Sequence, residues 1–234
     1  MPRRLLLLLG FTALILVSPA HATRAWNLSG SELLPIALAN DIQITEPSSS
    51  VDFDGDGIDE TAELVNRQVI VRSGGQVRWE SPKVWQVYQA QVADLNNDNL
   101  PEIILLVWRP FKPWPVDTWL PNGGRIGKFH NPAGMSCHMI LIGWNGSSFR
   151  ERWAGSAMAE PVKAFAVADL AGNGKQLLVT LESKYEEPPS APSQTLKVWE
   201  WNGFGFSVVS QVSGAFNQLA IARDSNGRLL IIAP

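Results

Sequence analysis

One acidic phrase recurs along this 234-residue chain, and a chain built of repeats has few folds open to it. Residues 50–60 read SVDFDGDGIDE, 91–102 read QVADLNNDNLPE and 166–177 read AVADLAGNGKQL, while a shortened copy at 220–227 reads AIARDSNG. Laid over one another, the copies align at Asp52, Asp94, Asp169 and Arg223. The longest step, between the second and third copies, contains a Pro- and Gly-rich insert at about 109–136. Without that insert the spacing is roughly 40–55 residues throughout. A second phrase also repeats: WNGSSF at 144–149 and WNGFGF at 201–206 each set Asn-Gly between apolar stretches, a strong hairpin signal. Gly74-Gly75 marks the equivalent turn of the first unit.

Each unit therefore reads strand, acidic loop, strand, connection, strand, tight turn, strand. The strands fall at about 86–93, 102–108, 137–144 and 148–153 in the second unit. In the third they fall at about 162–168, 176–182, 195–201 and 205–212. Tyr88, Ala90 and Val92 alternate with Gln89, Gln91 and Ala93, the period of two that a strand requires. Four-stranded antiparallel units at this spacing predict an all-β chain, a small or partial β-propeller of about four blades. The C-terminus supplies only two strands of the last unit, near 217–223 and 228–233. The N-terminal segment 23–49, with strands at about 32–46, is expected to complete that blade and to cover its exposed edge. If it does not, the ring stays partial and a second copy of the chain is required to close it, as a homodimer.

The loops have cation chemistry. In the first, Asp52, Asp54, Asp56 and Glu60 stand at positions 1, 3, 5 and 9, Gly57 at the bend, and Ile58 where a backbone carbonyl faces inward. Ca²⁺ takes six to eight oxygen ligands, and this spacing curls four carboxylates around one point. The second loop keeps Asp94, Asn96, Asp98 and Glu102, with Leu100 as carbonyl donor, but has a neutral ligand and Asn99 in place of Gly. It is expected to bind more weakly. The third has Ala171 and Leu177 at positions 3 and 9 and should hold no ion; in the fourth, Arg223 takes the place of the leading Asp and excludes one. A helix-flanked calcium hand shares positions 1, 3, 5 and 6, and Glu63 falls at its position 12, but the flanks lack helical periodicity.

Residues 1–22 read as a secretory signal peptide: Arg3 and Arg4, the apolar run Leu5 to Val17, then Ala20-His21-Ala22 as a cleavage site. That run is shorter than the roughly 20 residues needed to cross a bilayer core. Nothing else in the sequence is long and apolar enough to span a membrane, so no membrane span is expected in the mature chain. A formal charge of −3 without a Lys/Arg block argues against nucleic acid. The single cysteine, Cys137, offers no internal disulfide. A secreted, periplasmic or cell-envelope location is expected.

No catalytic constellation is visible: G-x-S-x-G, H-E-x-x-H and C-x-x-C are absent, and the mature chain has only His130 and His138. No enzyme is expected, although Asp117, His130 and Cys137 stand close enough in sequence to be brought together. The insert is the better functional candidate, because Trp108, Phe111, Trp114, Trp119 and Phe129 are concentrated there with Arg109, Lys112, Arg125 and Lys128 between them. Aromatic faces beside cations stack on sugar rings or anchor protein partners; they also pack long loops onto a fold.

The loop Asp52, Asp54, Asp56, Gly57, Glu60 resembles the D-x-D/N-x-D/N-G-x-x-D signature of FG-GAP (VCBS-type) repeats, with Glu for the last Asp. Asp94, Asn96, Asp98 and Glu102 resemble it without the Gly, and the likeness extends over about 50–234. The resemblance implies propeller blades like those of the integrin α-subunit head, Ca²⁺ in the loops, and adhesion or scaffold duties outside the cell, but no single activity. The expected function is thus an exported, calcium-stabilised interaction module whose partner is an extracellular or envelope protein or glycan. The alternatives are a carbohydrate-binding module using the Trp-rich insert, and a hydrolase or lyase dependent on His130 or His138.

Overall fold

The period-two segments form seventeen strands in a computed structural model that describes residues 25–38, 41–112 and 128–234. Among these residues there is no α-helix, and so none long and apolar enough to cross a membrane. The chain starts with β1 (Ala25–Ser29), β2 (Glu32–Ile36) and β3 (Gln43–Thr45). The first blade follows as β4 (Ser50–Val51), β5 (Glu60–Val65), β6 (Gln68–Ser73) and β7 (Gln76–Glu80). The second is β8 (Gln86–Ala93), β9 (Glu102–Pro110), β10 (Met135–Trp144) and β11 (Phe149–Ala154). The third is β12 (Val162–Ala168), β13 (Leu177–Glu182), β14 (Ser193–Trp201) and β15 (Phe206–Phe216), and β16 (Ala220–Arg223) and β17 (Leu229–Ile232) begin the fourth. Every pairing is antiparallel, and the four blades stand in a ring as a β-propeller.

The N-terminal segment completes the last blade within the same chain. β1 pairs with β17, placing Ala25 opposite Ile232 and Trp26 opposite Ile231, and β2 hairpins onto β1. β3 adds to the other edge, Ala222 opposite Ile44, so the sheet runs β2-β1-β17-β16-β3. The segment thus begins pairing at Ala25, earlier than its sequence pattern suggests, and divides between both edges of the blade. Its outermost strand, β2, tolerates Pro35 because an outer edge does not need that N–H.

Most of the apolar core lies between blades. Val69, Val71, Val87, Ile103, Leu105 and Ile140 fill the interface of blades one and two, and Ile104, Leu106, Met139, Phe165 and Leu178 that of blades two and three. Val179, Leu196, Ile221 and Ile231 join blades three and four. The second residue of the first three acidic loops is a plug into these interfaces: Phe53, Leu95 and Leu170 are all buried, Phe53 edge-on to Phe149 at 5.2 Å. The loops are therefore positioned by the core and not merely suspended from strand ends.

Two glutamines that alternate with apolar residues on β8 do not face water. The Gln89 amide donates to Phe165 O (2.6 Å) and accepts from Phe165 N (3.0 Å), and Gln91 repeats the pattern on Val167 (3.3 and 3.2 Å). Side-chain amides thus replace a missing strand along the free edge of β12, satisfying backbone groups that would otherwise be orphaned between blades. Ser48 O and Ser49 O, on the link from β3 into the first blade, accept from Val92 N and Ala62 N, both at 2.8 Å.

Candidate functional site

The first two acidic loops connect the innermost strand of their blade to the next, β4 to β5 and β8 to β9, on one face of the ring. Their backbones share one design. Position 4 is left-handed at Gly55 (φ +77°), Asn97 (+58°) and Gly172 (+66°), and position 6 at Gly57 (+86°), Asn99 (+68°) and Gly174 (+86°). Asparagine tolerates this region better than other non-glycine residues, so Asn99 preserves the bend without Gly.

The leading Asp organises each of the first three loops. Asp52 accepts from Gly55 N (2.7 Å), Asp56 N (3.2 Å) and Gly57 N (2.8 Å). Asp94 accepts from Asp98 N (3.0 Å) and Asn99 N (2.9 Å), and Asp169 from Asn173 N (3.0 Å) and Gly174 N (2.7 Å). The third loop keeps this conformation without the other carboxylates, so position 1 is an element of loop folding in its own right. In the fourth, Arg223 turns its guanidinium onto Gly227 O at 2.7 Å, and Asp224 accepts from Asn226 N and Arg228 N, both at 2.9 Å.

The glutamate at position 9 distinguishes the first two loops. Glu60 is fully buried; one carboxylate oxygen accepts from Phe53 N (2.9 Å), and Oε1 has no protein partner. Glu102, 1% exposed, repeats this: Leu95 N donates to one oxygen (3.1 Å), and Oε1 has no protein partner. Carboxylate oxygens of Asp52, Asp54 and Glu60 lie within 4.8 Å of one another, as do those of Asp94, Asp98 and Glu102. Burial pushes the Glu102 carboxyl up to about 7, opposed by the Leu95 N–H and reinforced by the charges of Asp98 and Asp94.

Asp56 stands outside the first cluster, its Oδ1 accepting from Ile58 N at 2.8 Å. Asn96 Oδ1 accepts from Asp98 N (2.9 Å) and its amide donates to Asp98 Oδ2 (3.0 Å). Ile58 and Leu100, each 51% exposed, point their side chains to solvent. An arginine flanks each cluster: Arg78 lies 3.0 Å from Asp54 and Arg152 3.8 Å from Asp98. Glu63 is on β5, paired with Arg72 at 3.3 Å, and strands flank the loop, which removes the calcium-hand geometry. Asn97 ties the second loop to the third blade: its carbonyl accepts from Gln176 N (2.8 Å) and its amide donates to Gln176 O (3.4 Å).

The insert leaves β9 on the opposite face. Trp114, Trp119 and Asp117 fall outside the described residues, as does the signal segment 1–22. Trp108 is half-buried, edge-on to Tyr185 (5.7 Å) and tilted against Tyr88 (6.4 Å); these three rings line a groove of about 490 Å³. Phe129 packs on the core between blades two and three. Alternation along β10 separates Cys137 from its neighbours. Its thiol faces that core, pushed up to about 12 by burial, and is therefore inert. Ser136 and His138 take the other face of the strand.

Ser136 and His138 are a pair that spacing alone did not single out. His138 Nδ1 lies 3.0 Å from Gly155 O, which fixes the proton on Nδ1, and Ser136 Oγ donates to Nε2 at 2.8 Å. Burial holds His138 down at about 4, with the Arg109 charge acting in the same direction, so the ring is neutral. A Ser-x-His pattern on a strand is the signal that could have revealed the pair.

No protein-family model and no curated protein matches the chain. Among solved structures, a crystal structure of BBS1N in complex with ARL6DN, soaked with lead, aligns over 80% of this chain and 68% of that one, at 10% identity and a TM-score of 0.28.

Proposed function

We propose that the chain is an exported β-propeller of the FG-GAP kind, clipped by structural Ca²⁺ in its first two acidic loops. In this reading it serves as an interaction, adhesion or scaffold module in the envelope or outside the cell, not as a catalyst. What carries it is the orphaned Oε1 of Glu60. A buried carboxylate oxygen without a donor costs about 1–3 kcal/mol or more unless something supplies positive charge, and two further carboxylates face the same point. Asp52, Asp54 and Glu60 fit a hard divalent cation, and so do Asp94, Asp98 and Glu102. Bound there, the ion supplies the missing charge and ties the innermost strand of a blade to its neighbour. Sites of this extracellular type bind at roughly 10⁻⁴–10⁻³ M.

The test is calorimetric titration of the mature chain with CaCl₂. The reading expects two sites, the first lost in Asp54→Ala and the second in Asp98→Ala; absence of saturable heat in the wild type overturns it. Partner capture from envelope extract, lost on chelation, tests the interaction half. A glycan reading rests on a separate observation, the Trp108 groove with Tyr88 and Tyr185. Glycan-array binding abolished by Trp108→Ala would favour it over a protein partner.

A further inference from the structure

On the face that carries the insert, a cavity of about 440 Å³ opens against the second blade and the segments that lead into and out of it. Its walls include Trp85 ahead of β8, Arg109, Phe111 and Lys112 where β9 ends, and Ser136 and His138 on β10. Among the described residues no carboxylate lines it, although the chain as a whole is acidic at −3. Its size falls within the range of small-molecule sites, and its walls are mainly apolar with a few converging polar groups.

Arg109 is the key group. Its guanidinium is half-buried and burial lowers its pKa, with only the longer-range charge of Glu151 opposing. Among the described residues its one polar neighbour is His138 Nδ1 at 3.4 Å. That nitrogen already donates its proton to Gly155 O, so it offers no lone pair, and two donors face each other. Ser136 is committed to His138 Nε2. A partly desolvated guanidinium without an acceptor among the described residues is costly, and it faces a cavity large enough for a ligand.

We propose that this cavity binds a carboxylate carried on an apolar body, with Arg109 as its bidentate anchor and Trp85 and Phe111 as walls. A monoanion matches the single buried positive charge better than a phosphate dianion does, because Lys112 is exposed and contributes only a screened charge. The proposal does not depend on the calcium reading, since the acidic loops lie on the other face of the ring.

The experiment titrates the mature chain, with and without Ca²⁺, with phenylacetate, 3-phenylpropionate and indole-3-acetate, each paired with its amide, and with phenyl phosphate. Binding is followed by calorimetry and by NMR of the tryptophan indoles. At least one acid should bind saturably and about tenfold or more tighter than its amide. Arg109→Gln should abolish that preference, and Lys112→Glu, an exposed change that leaves the fold intact, should weaken it a few-fold. The proposal is overturned if acids bind no tighter than amides, if Arg109→Gln binds like the wild type, or if phenyl phosphate is preferred. Acid binding unchanged by chelator, in a chain that shows no calcium heat, would sink the calcium reading alone.

Discussion

Replacing Glu60 by Gln separates a metal clip from a merely acidic turn, because the two predict opposite changes. The buried side chain accepts from Phe53 N through one oxygen and leaves Oε1 without a partner beside Asp52 and Asp54. In Glu60→Gln the amide oxygen keeps the Phe53 bond, and the NH₂ takes the orphaned position as a donor toward the aspartates. Without calcium the variant loses one repelling charge and gains about one hydrogen bond, worth about 1 kcal/mol. With calcium it loses a ligand. At free Ca²⁺ tenfold above the dissociation constant, one occupied site contributes about 1.4 kcal/mol, and for a chain of this size that raises Tm by about 3–6 °C. Differential scanning calorimetry of residues 23–234, in chelator and in about 10 mM calcium, should therefore show the order reverse. Glu60→Gln melts about 2–4 °C above the wild type in chelator and below it in calcium, with about half the wild-type calcium shift remaining from the second loop. The reasoning is refuted if the variant keeps the full calcium shift, or if the wild type has none.

Other consequences follow from the same contacts. Gln89→Leu should strip the Phe165 backbone of both its partners and cost about 2 kcal/mol by urea denaturation, whereas a surface Gln would cost nothing measurable. Lys197 lies 2.6 Å from the buried Glu182 and 2.7 Å from Glu160; Lys197→Met should destabilise by about 3–5 kcal/mol, largely recovered in the double variant with Glu182→Leu. His138 at about 4 in the folded state lies below the unfolded value of about 6.5, so the unfolded chain takes the extra proton. Stability should fall as pH drops from about 6.5 to 4, by up to about 3 kcal/mol, and the slope should flatten in His138→Asn. Removing residues 1–37 exposes the β17 edge that β1 covers, and light scattering should show oligomers in place of monomer.

The strands and loops were readable because both rest on local rules. Period two and Asn-Gly turns located β8 to β15 to within a few residues, and the D-x-D-x-D-G spacing located the carboxylates that converge. Asp56 was drawn toward Ile58 N instead, a competition between backbone capping and clustering that spacing does not resolve. β1 was missed because Trp26 and Asn27 interrupt the alternation, and its pairing with β17 spans almost the whole chain. Gln89 and Gln91 look like a solvent face in sequence, yet they meet the edge of β12, 76 residues away. A shorter-range version of this effect hid the Arg109 cavity: residues 85, 109, 136 and 156 meet only once the four strands of the second blade have paired.

A crystal grown in millimolar CaCl₂, with anomalous scattering recorded at long wavelength, tests the calcium clip most directly. The account predicts a calcium peak about 2.3–2.6 Å from oxygens of Asp52, Asp54 and Glu60, with a weaker one between Asp94, Asp98 and Glu102. Ordered water bonded to Glu60 Oε1, with no anomalous signal in either loop, would contradict it.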